Sequence, residues 1–222
     1  MLRSFTLHEV WTLVLAARWT LALSAGALLC GGTLGLLVAV ARISPYRVLR
    51  YAASGYIQLV QAIPALMLLL LFYFGINLFG VRVDAWTAAI LAFTLSTSSF
   101  LAEIWRGCIQ AVPAGQWDAA RSLGFRFPRT LRLVIIPQAL RMALPPTVGY
   151  TVQVIKGTSL AALIGFTELA RAGTQVNTMT FEPVLVFGTV ACLYFAMCWP
   201  LSLLSRHLEH QLNVGHVRIQ GM

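Results

Sequence analysis

Lys156 is the only lysine in the chain, and it stands in an apolar run beside Gln153, Thr158 and Ser159. A cation in hydrocarbon must snorkel, pair or face water. Lys156 lies nine residues before Gly165, roughly 13 Å along a helix. That depth makes snorkelling awkward, so a paired or pathway-facing lysine is expected. Thr158 and Ser159 have a local alternative, donation to backbone carbonyls one turn earlier. Ser96-Thr97-Ser98-Ser99 and the Gln61 that precedes Pro64 are further polar groups in apolar surroundings. Gln61, Ser96, Thr97, Gln153, Lys156, Thr158 and Ser159 are therefore the candidate substrate-pathway residues, because polar groups within spans mark routes through the membrane.

Reactive chemistry fits this pattern poorly. Ser159 follows Gly157 with one residue between, as in a membrane serine protease, but a nucleophile needs a base within hydrogen-bond reach. His8, His207, His210 and His216 all lie near the ends of the chain, which leaves Lys156 as the only nearby base. The three late histidines lack the carboxylates or thiols that would complete a metal site and read as part of a polar tail. Cys30, Cys108, Cys192 and Cys198 form no CxxC pair and read as small hydrophobes. The stretch "GYTVQVIKGTS" lacks the Gly-Lys-Ser/Thr adjacency of a phosphate loop, so no ATPase is expected in this chain.

The elements that must hold these groups are membrane spans. The chain has 222 residues, 59% of them hydrophobic and only 10% charged, with mean hydropathy +0.79, too apolar for a soluble domain. The fold class is all-α, a polytopic integral membrane protein of one domain over 1–222. Five spans are predicted, at about 19–41, 57–79, 85–104, 143–165 and 184–204. A short amphipathic helix over residues 5–17 is expected at the outer interface, with Trp11, Arg18 and Trp19 at headgroup level. The first apolar run is longer than a signal-peptide core and is expected to stay as a span.

Orientation follows from arginine. With the N-terminus outside, the cytoplasmic segments hold Arg42, Arg47, Arg50, Arg106, Arg121, Arg126, Arg129, Arg132, Arg141, Arg206 and Arg218, while the outside keeps Arg3, Arg18, Arg82 and Arg171. The positive-inside bias therefore places residues 105–142 and the C-terminus in the cytoplasm. It also accounts for the net charge of +9 without a nucleic-acid partner.

Within that cytoplasmic stretch, residues 113–141 read as two short helices. Pro113 suits a first turn, Gly124 a left-handed stop, and Pro128 the start of a second helix that Pro137 limits. Ala119 and Ala120 leave one face without bulk, flanked by Asp118 and Arg121. Only Trp117 and Leu123 offer bulky anchors, so the segment suits docking to a soluble partner better than lying on lipid.

"DAARSLGFRFPRTLRLVIIP" resembles the EAA motif of ABC-transporter permease subunits: Glu-Ala-Ala, three residues, Gly, nine residues, Ile-x-Leu-Pro. Asp118, Ala119, Ala120, Gly124, Val134, Ile136 and Pro137 keep every spacing. "LAEIWRGCIQAVPAGQWDAARSLGF", "IIPQALRMALPP", "IKGTSLAALIG" and "FEPVLVF" are similar to the polar amino acid permeases, and the resemblance covers residues 20 to 205. It implies an ABC type I importer permease fold whose coupling helix sits in a cleft of an ATPase. Asp118, Ala119, Ala120, Arg121, Gly124 and Pro137 are the implied coupling residues. The implied partners are two ATP-binding cassette subunits that carry ATP and Mg, a second permease (identical or homologous), an extracytoplasmic amino-acid-binding protein and the lipid of a bacterial inner membrane. No cofactor is expected in this chain. Departures exist: Ser96-Thr97 stand where Asn-Thr is usual, and Gly157 replaces an acid after Lys156. The lost carboxylate removes one partner for a cationic cargo and points to no other cargo. A passive channel or scaffold would leave the 113–141 segment unexplained.

Overall fold

The computed structural model describes residues 4–217, and within them the chain is almost wholly helical. Helix α1 (Leu7–Ile43) starts at Thr6, whose N–H is accepted by the Glu9 carboxylate at 3.0 Å. The expected interfacial helix over 5–17 and the first span are one rod of 37 residues, about 55 Å long. No glycine or proline interrupts residues 7–25. Leu13, Ala16, Thr20 and Leu23 recur at helical spacing and are buried. They bury one face of this part of α1 against the rest of the chain, while Leu7, Trp11 and Trp19 stay exposed.

The expected span at 57–79 is broken. Helix α2 (Arg47–Ala62) stops at Ile63, whose extended backbone is the conformation favoured before proline. After Pro64, α3 (Ala65–Leu70) continues through a π turn, Leu71–Gly75, into α4 (Ile76–Leu78). The two halves, Arg47–Ala62 and Ala65–Leu78, meet at 96°.

Helix α5 (Ala85–Ala111) is capped by the Asp84 carboxylate, which accepts the N–H groups of Trp86 and Thr87. The Thr87 hydroxyl also donates to it at 2.6 Å and is the main reason its carboxyl lies below the usual range. Contact between α1 and α5 is close because α1 offers glycine where they cross. A Cβ on Gly31 would lie 2.7 Å from Thr97 Cβ, and one on Gly35 would lie 2.9 Å from the Ser98 carbonyl oxygen. Small residues permit such backbone approach in membranes, and here they set the depth of the serine-threonine stretch.

Helix α6 (Ala114–Ser122) and the short α7 (Phe127–Thr130) follow. A π turn, Leu131–Ile135, then leads into α8 (Ile136–Gly157) and a 3-10 segment, Thr158–Ile164, that stops at Gly165 with φ +91°. Pro137 thus does not limit the second helix. A proline inside a helix clashes with the carbonyl four residues earlier, and the wider turn over 131–135 supplies the room. The rod begins before the expected 143 and carries Lys156 at its far end. Helix α9 (Leu169–Thr180) was not anticipated; its residues Leu169, Ala172 and Val176 pack with Leu13 and Ala16 of α1 and with Val186 and Val190 of α10. Helix α10 (Pro183–Val217) runs well past the expected end at 204, so the polar tail is helical to Val217. Arg3, Arg218 and the side chain of His216 lie outside what is described.

Among the described residues, α1, α5 and α10 are long and apolar enough to cross a membrane, and the bent Arg47–Ala62 and Ala65–Leu78 pair makes a fourth if counted as one span. The remaining expected span, 143–165, falls on α8 and the 3-10 segment. At 22 residues α8 has the length, but Arg141 and Lys156 dilute its apolar character.

Candidate functional site

Two regions carry the residues singled out by the sequence, and the rod from α7 to α8 links them. The first is α6. Pro113 precedes the helix as its N-cap instead of opening its first turn. At the other end the Gly124 N–H donates to the Arg121 carbonyl at 2.9 Å and the Phe125 N–H to the Ala120 carbonyl at 3.0 Å. This pair of bonds is a Schellman closure, and it requires the left-handed φ of +75° seen at Gly124.

The two alanines face different ways. Ala120 is buried within the chain and Ala119 is exposed. Helix α6 is seated by Trp117, which joins the cluster of Val112, Ile135 and Ala139 and stacks on Phe127 at 6.3 Å. Gln138 Nε2 of α8 adds a donation to Gln116 Oε1 at 3.3 Å. The outward face is left with Gly115, Asp118, Ala119 and Ser122. Asp118 and Arg121 pair with each other across one helical turn; the exposed pair contributes little to stability but sets the charge of the rim. Pro137 sits at the start of α8, away from this face.

The second region is a cavity of about 490 Å3 between α5 and α8, lined by Ala65, Phe93, Ser96, Thr97, Phe100, Tyr150, Gln153, Val154 and Gly157. Of the seven pathway candidates it brings together Ser96, Thr97 and Gln153. The Tyr150 hydroxyl lies beside Ser96 and Thr97, and its ring stacks on Phe100 at 5.5 Å. The wall therefore offers hydroxyls and one carboxamide between aromatic rings, and no ionised side chain.

The remaining four candidates sit elsewhere. Gln61 donates to the Ser99 carbonyl at 3.2 Å and ties α2 to α5. Thr158 donates to the Ile155 carbonyl at 2.8 Å and Ser159 to the Lys156 carbonyl at 2.7 Å, the local bonding that the sequence offered as an alternative. Lys156 is exposed on the turn between Gln153 and Gly157 and does not line the cavity. Tyr150 and Phe100 were missed. Their signal was spacing: Tyr150 is three residues before Gln153, on the same helical face.

A buried carboxylate was also missed. Glu168 caps α9 by accepting the Arg171 N–H at 2.9 Å, and it accepts the hydroxyls of Tyr194 at 2.7 Å and Thr20 at 3.3 Å. Thr20 in turn accepts the Leu169 N–H at 3.1 Å. These bonds join α1, α9 and α10 beside the 3-10 segment that follows α8.

Known proteins place this arrangement. A probable amino-acid ABC transporter permease of Bacillus subtilis (strain 168), YckA, is 35% identical over 191 residues, 86% of this chain and 84% of the relative. The glutamine transport system permease GlnP of Escherichia coli (strain K12) is 30% identical over 204 residues, 91% of this chain and 93% of the relative. Among solved structures, an amino acid ABC transporter with histidines superposes with a TM-score of 0.86 at 33% identity, covering 90% of this chain and 94% of that one. The methionine transporter MetNI, in inward-facing conformations, shares the fold with a TM-score of 0.77 at 20% identity, over 94% of this chain and 99% of that one. The family described as "Binding-protein-dependent transport system inner membrane component" matches residues 31–214. With a seated helix α6 joined through α7 and α8 to a polar cavity, and with that match over most of its length, the chain belongs to this family of ABC importer permeases.

Proposed function

We propose that the chain is the permease subunit of an ATP-driven importer of polar amino acids. Two ATPase subunits hold ATP and Mg, a second permease completes the pathway, and an extracytoplasmic binding protein delivers cargo. The N-terminus is outside, the C-terminus is cytoplasmic, and α8 with its 3-10 extension forms a fifth pass. The observation that carries this reading is the exposed face of α6 at one end of the rod whose other end, through Gln153 and Gly157, forms one wall of the cavity.

Asp118, Ala119 and Arg121 enter an ATPase cleft, where the bare Ala119 permits close approach. Ala120, Gly124 and Pro137 act from behind: Ala120 seats the helix, Gly124 closes it, and Pro137 marks the turn where it joins α8. Movement of the ATPases then shifts α8 relative to α5 and opens the cavity alternately to each side. Ser96, Thr97 and Gln153 contact the cargo, and Lys156, on the same turn of α8 but outside the cavity lining, meets its carboxylate along the route. Gln61, Thr158 and Ser159 hold the backbone that frames the route.

The test is reconstitution. The chain, its ATPase, its second permease and its binding protein in liposomes should take up radiolabelled polar amino acids only with internal ATP. Uptake that proceeds equally without ATP would overturn the reading.

A further inference from the structure

We infer that the extracytoplasmic end of the chain carries a second, weaker site for the zwitterionic backbone of an α-amino acid, built from the rings of Trp19, Trp86 and Phe166 with Arg18 at its rim. The inference rests on the permease reading and deepens it by naming where cargo is received before it reaches the Ser96–Gln153 cavity. The three rings and Thr167 line an open cavity of about 450 Å3. Trp19 meets Trp86 edge-on at 6.1 Å, and Trp86 meets Phe166 at 5.3 Å. Such ring faces attract an ammonium group through their quadrupoles. The Arg18 guanidinium lies 5.4 Å from the centre of the Trp19 ring, and its planar fork matches a carboxylate. An α-amino acid presents both charges at once, whatever its side chain.

Two further observations separate this cluster from an ordinary aromatic belt at the membrane surface. The rings are fixed from below, because Thr20 and Glu168 are bonded to each other at 3.3 Å next in sequence to Trp19 and Thr167. That bond clamps α1 against the 166–168 turn. The cluster also continues into the proposed pathway. Trp86, Phe93, Thr97 and Phe100 fall on one stripe of α5 at helical spacing, and the last three line the larger cavity. From Trp86 to Thr97 the stripe runs about 16 Å. Cargo released at the outer face thus meets Arg18 first and then the hydroxyls and carboxamide of the larger cavity.

The probe is glycine, the smallest such zwitterion, with ethylamine and propionate as single-charge controls. The chain carries six tryptophans; labelled with 5-fluorotryptophan in the assembled complex in lipid nanodiscs, it gives fluorine resonances that Trp86→Phe and Trp19→Phe assign. Glycine should move the Trp86 and Trp19 resonances saturably in the millimolar range, leave Trp117 unmoved, and outperform both controls. Arg18→Gln should weaken the effect by about tenfold or more, the loss of one charge-assisted hydrogen bond; Arg18→Lys, which retains the charge, should recover part of it. A Trp86 resonance that glycine leaves in place, or that ethylamine moves as far, overturns the inference and makes the rings an interfacial belt only. Uptake separates the two levels: ATP-driven transport that Gln153→Leu impairs, beside a silent Trp86, defeats the outer site alone, whereas uptake without ATP defeats the permease reading.

Discussion

Gly124 offers a sharp test of how the coupling segment works, because its requirement is conformational. At φ +75° it occupies left-handed backbone, and a Cβ added there would meet nothing within 4 Å. A substitution therefore introduces no clash, and its cost is the backbone term alone, about 1–2 kcal/mol for an ordinary L-residue. With that penalty the closed turn, held by the Gly124 and Phe125 N–H bonds, loses about five- to thirty-fold in population relative to open alternatives. Asparagine tolerates the left-handed region better than alanine or valine. The expected order is Gly above Asn, then Ala, then Val, in ATPase retained on the purified permease and in transport per ATP hydrolysed. Membrane insertion should be equal for all four, since residue 124 is exposed and lies beyond every apolar span. Both readouts should be taken on the same preparation, normalised to permease. If Asn is no better than Val, or if Val keeps full coupling, the turn is not what presents α6 to its partner.

Ala119→Arg should leave the permease inserted and folded but abolish ATPase capture, whereas Ala120→Arg, at a buried site, should lower thermal stability as well; equal stability of the two would contradict the division of faces. With the native cysteines replaced, Arg126→Cys should be labelled only from the cytoplasm and Gln175→Cys only from outside, as the arginine distribution requires; labelling of both from one side would mean a miscounted pass. Lys156→Met should assemble and insert normally yet raise the half-saturating cargo concentration roughly ten- to a hundred-fold. An unchanged value in an assembled complex would refute its role, and failure to assemble would place its partner on the second permease. Glu168→Ala strands the Thr20 and Tyr194 hydroxyls and the Arg171 N–H, and should lower the unfolding temperature clearly more than Glu168→Gln, which still accepts; equal losses would show that the knot carries no stability.

Apolar runs announced the spans because each crossing segment must satisfy its backbone internally and bury little charge. Gly124 was legible for a similarly local reason, as one residue type dominates left-handed helix stops. The misreadings came from tertiary context. Pro64 was carried inside one span, because neighbouring helices can satisfy a freed backbone, and the 96° between its flanking helices depends on what α2 and α3 pack against. Pro137 looked like a limit because a regular α-helix would clash there, and the π turn before it left no mark in composition. Ala119 and Ala120 read as one bare face; only the seating of Trp117 against Val112 and Ile135 decides which alanine remains free. The pathway residues were legible as polar but not as to direction, so Thr158 and Ser159 turned back to their own helix while Tyr150, which was not singled out, faces the cavity. Glu168 and Thr20 are 148 residues apart, and no local pattern joins them.

The most direct test of the central claim is uptake of radiolabelled polar amino acids by the complete transporter in liposomes, with ATP hydrolysis measured in the same vesicles, for wild type and Ala119→Arg. Wild type should show ATP-dependent, binding-protein-dependent uptake, and Ala119→Arg should give an inserted permease with neither uptake nor captured ATPase. Undiminished uptake by Ala119→Arg, or wild-type uptake of equal rate without ATP, would contradict it.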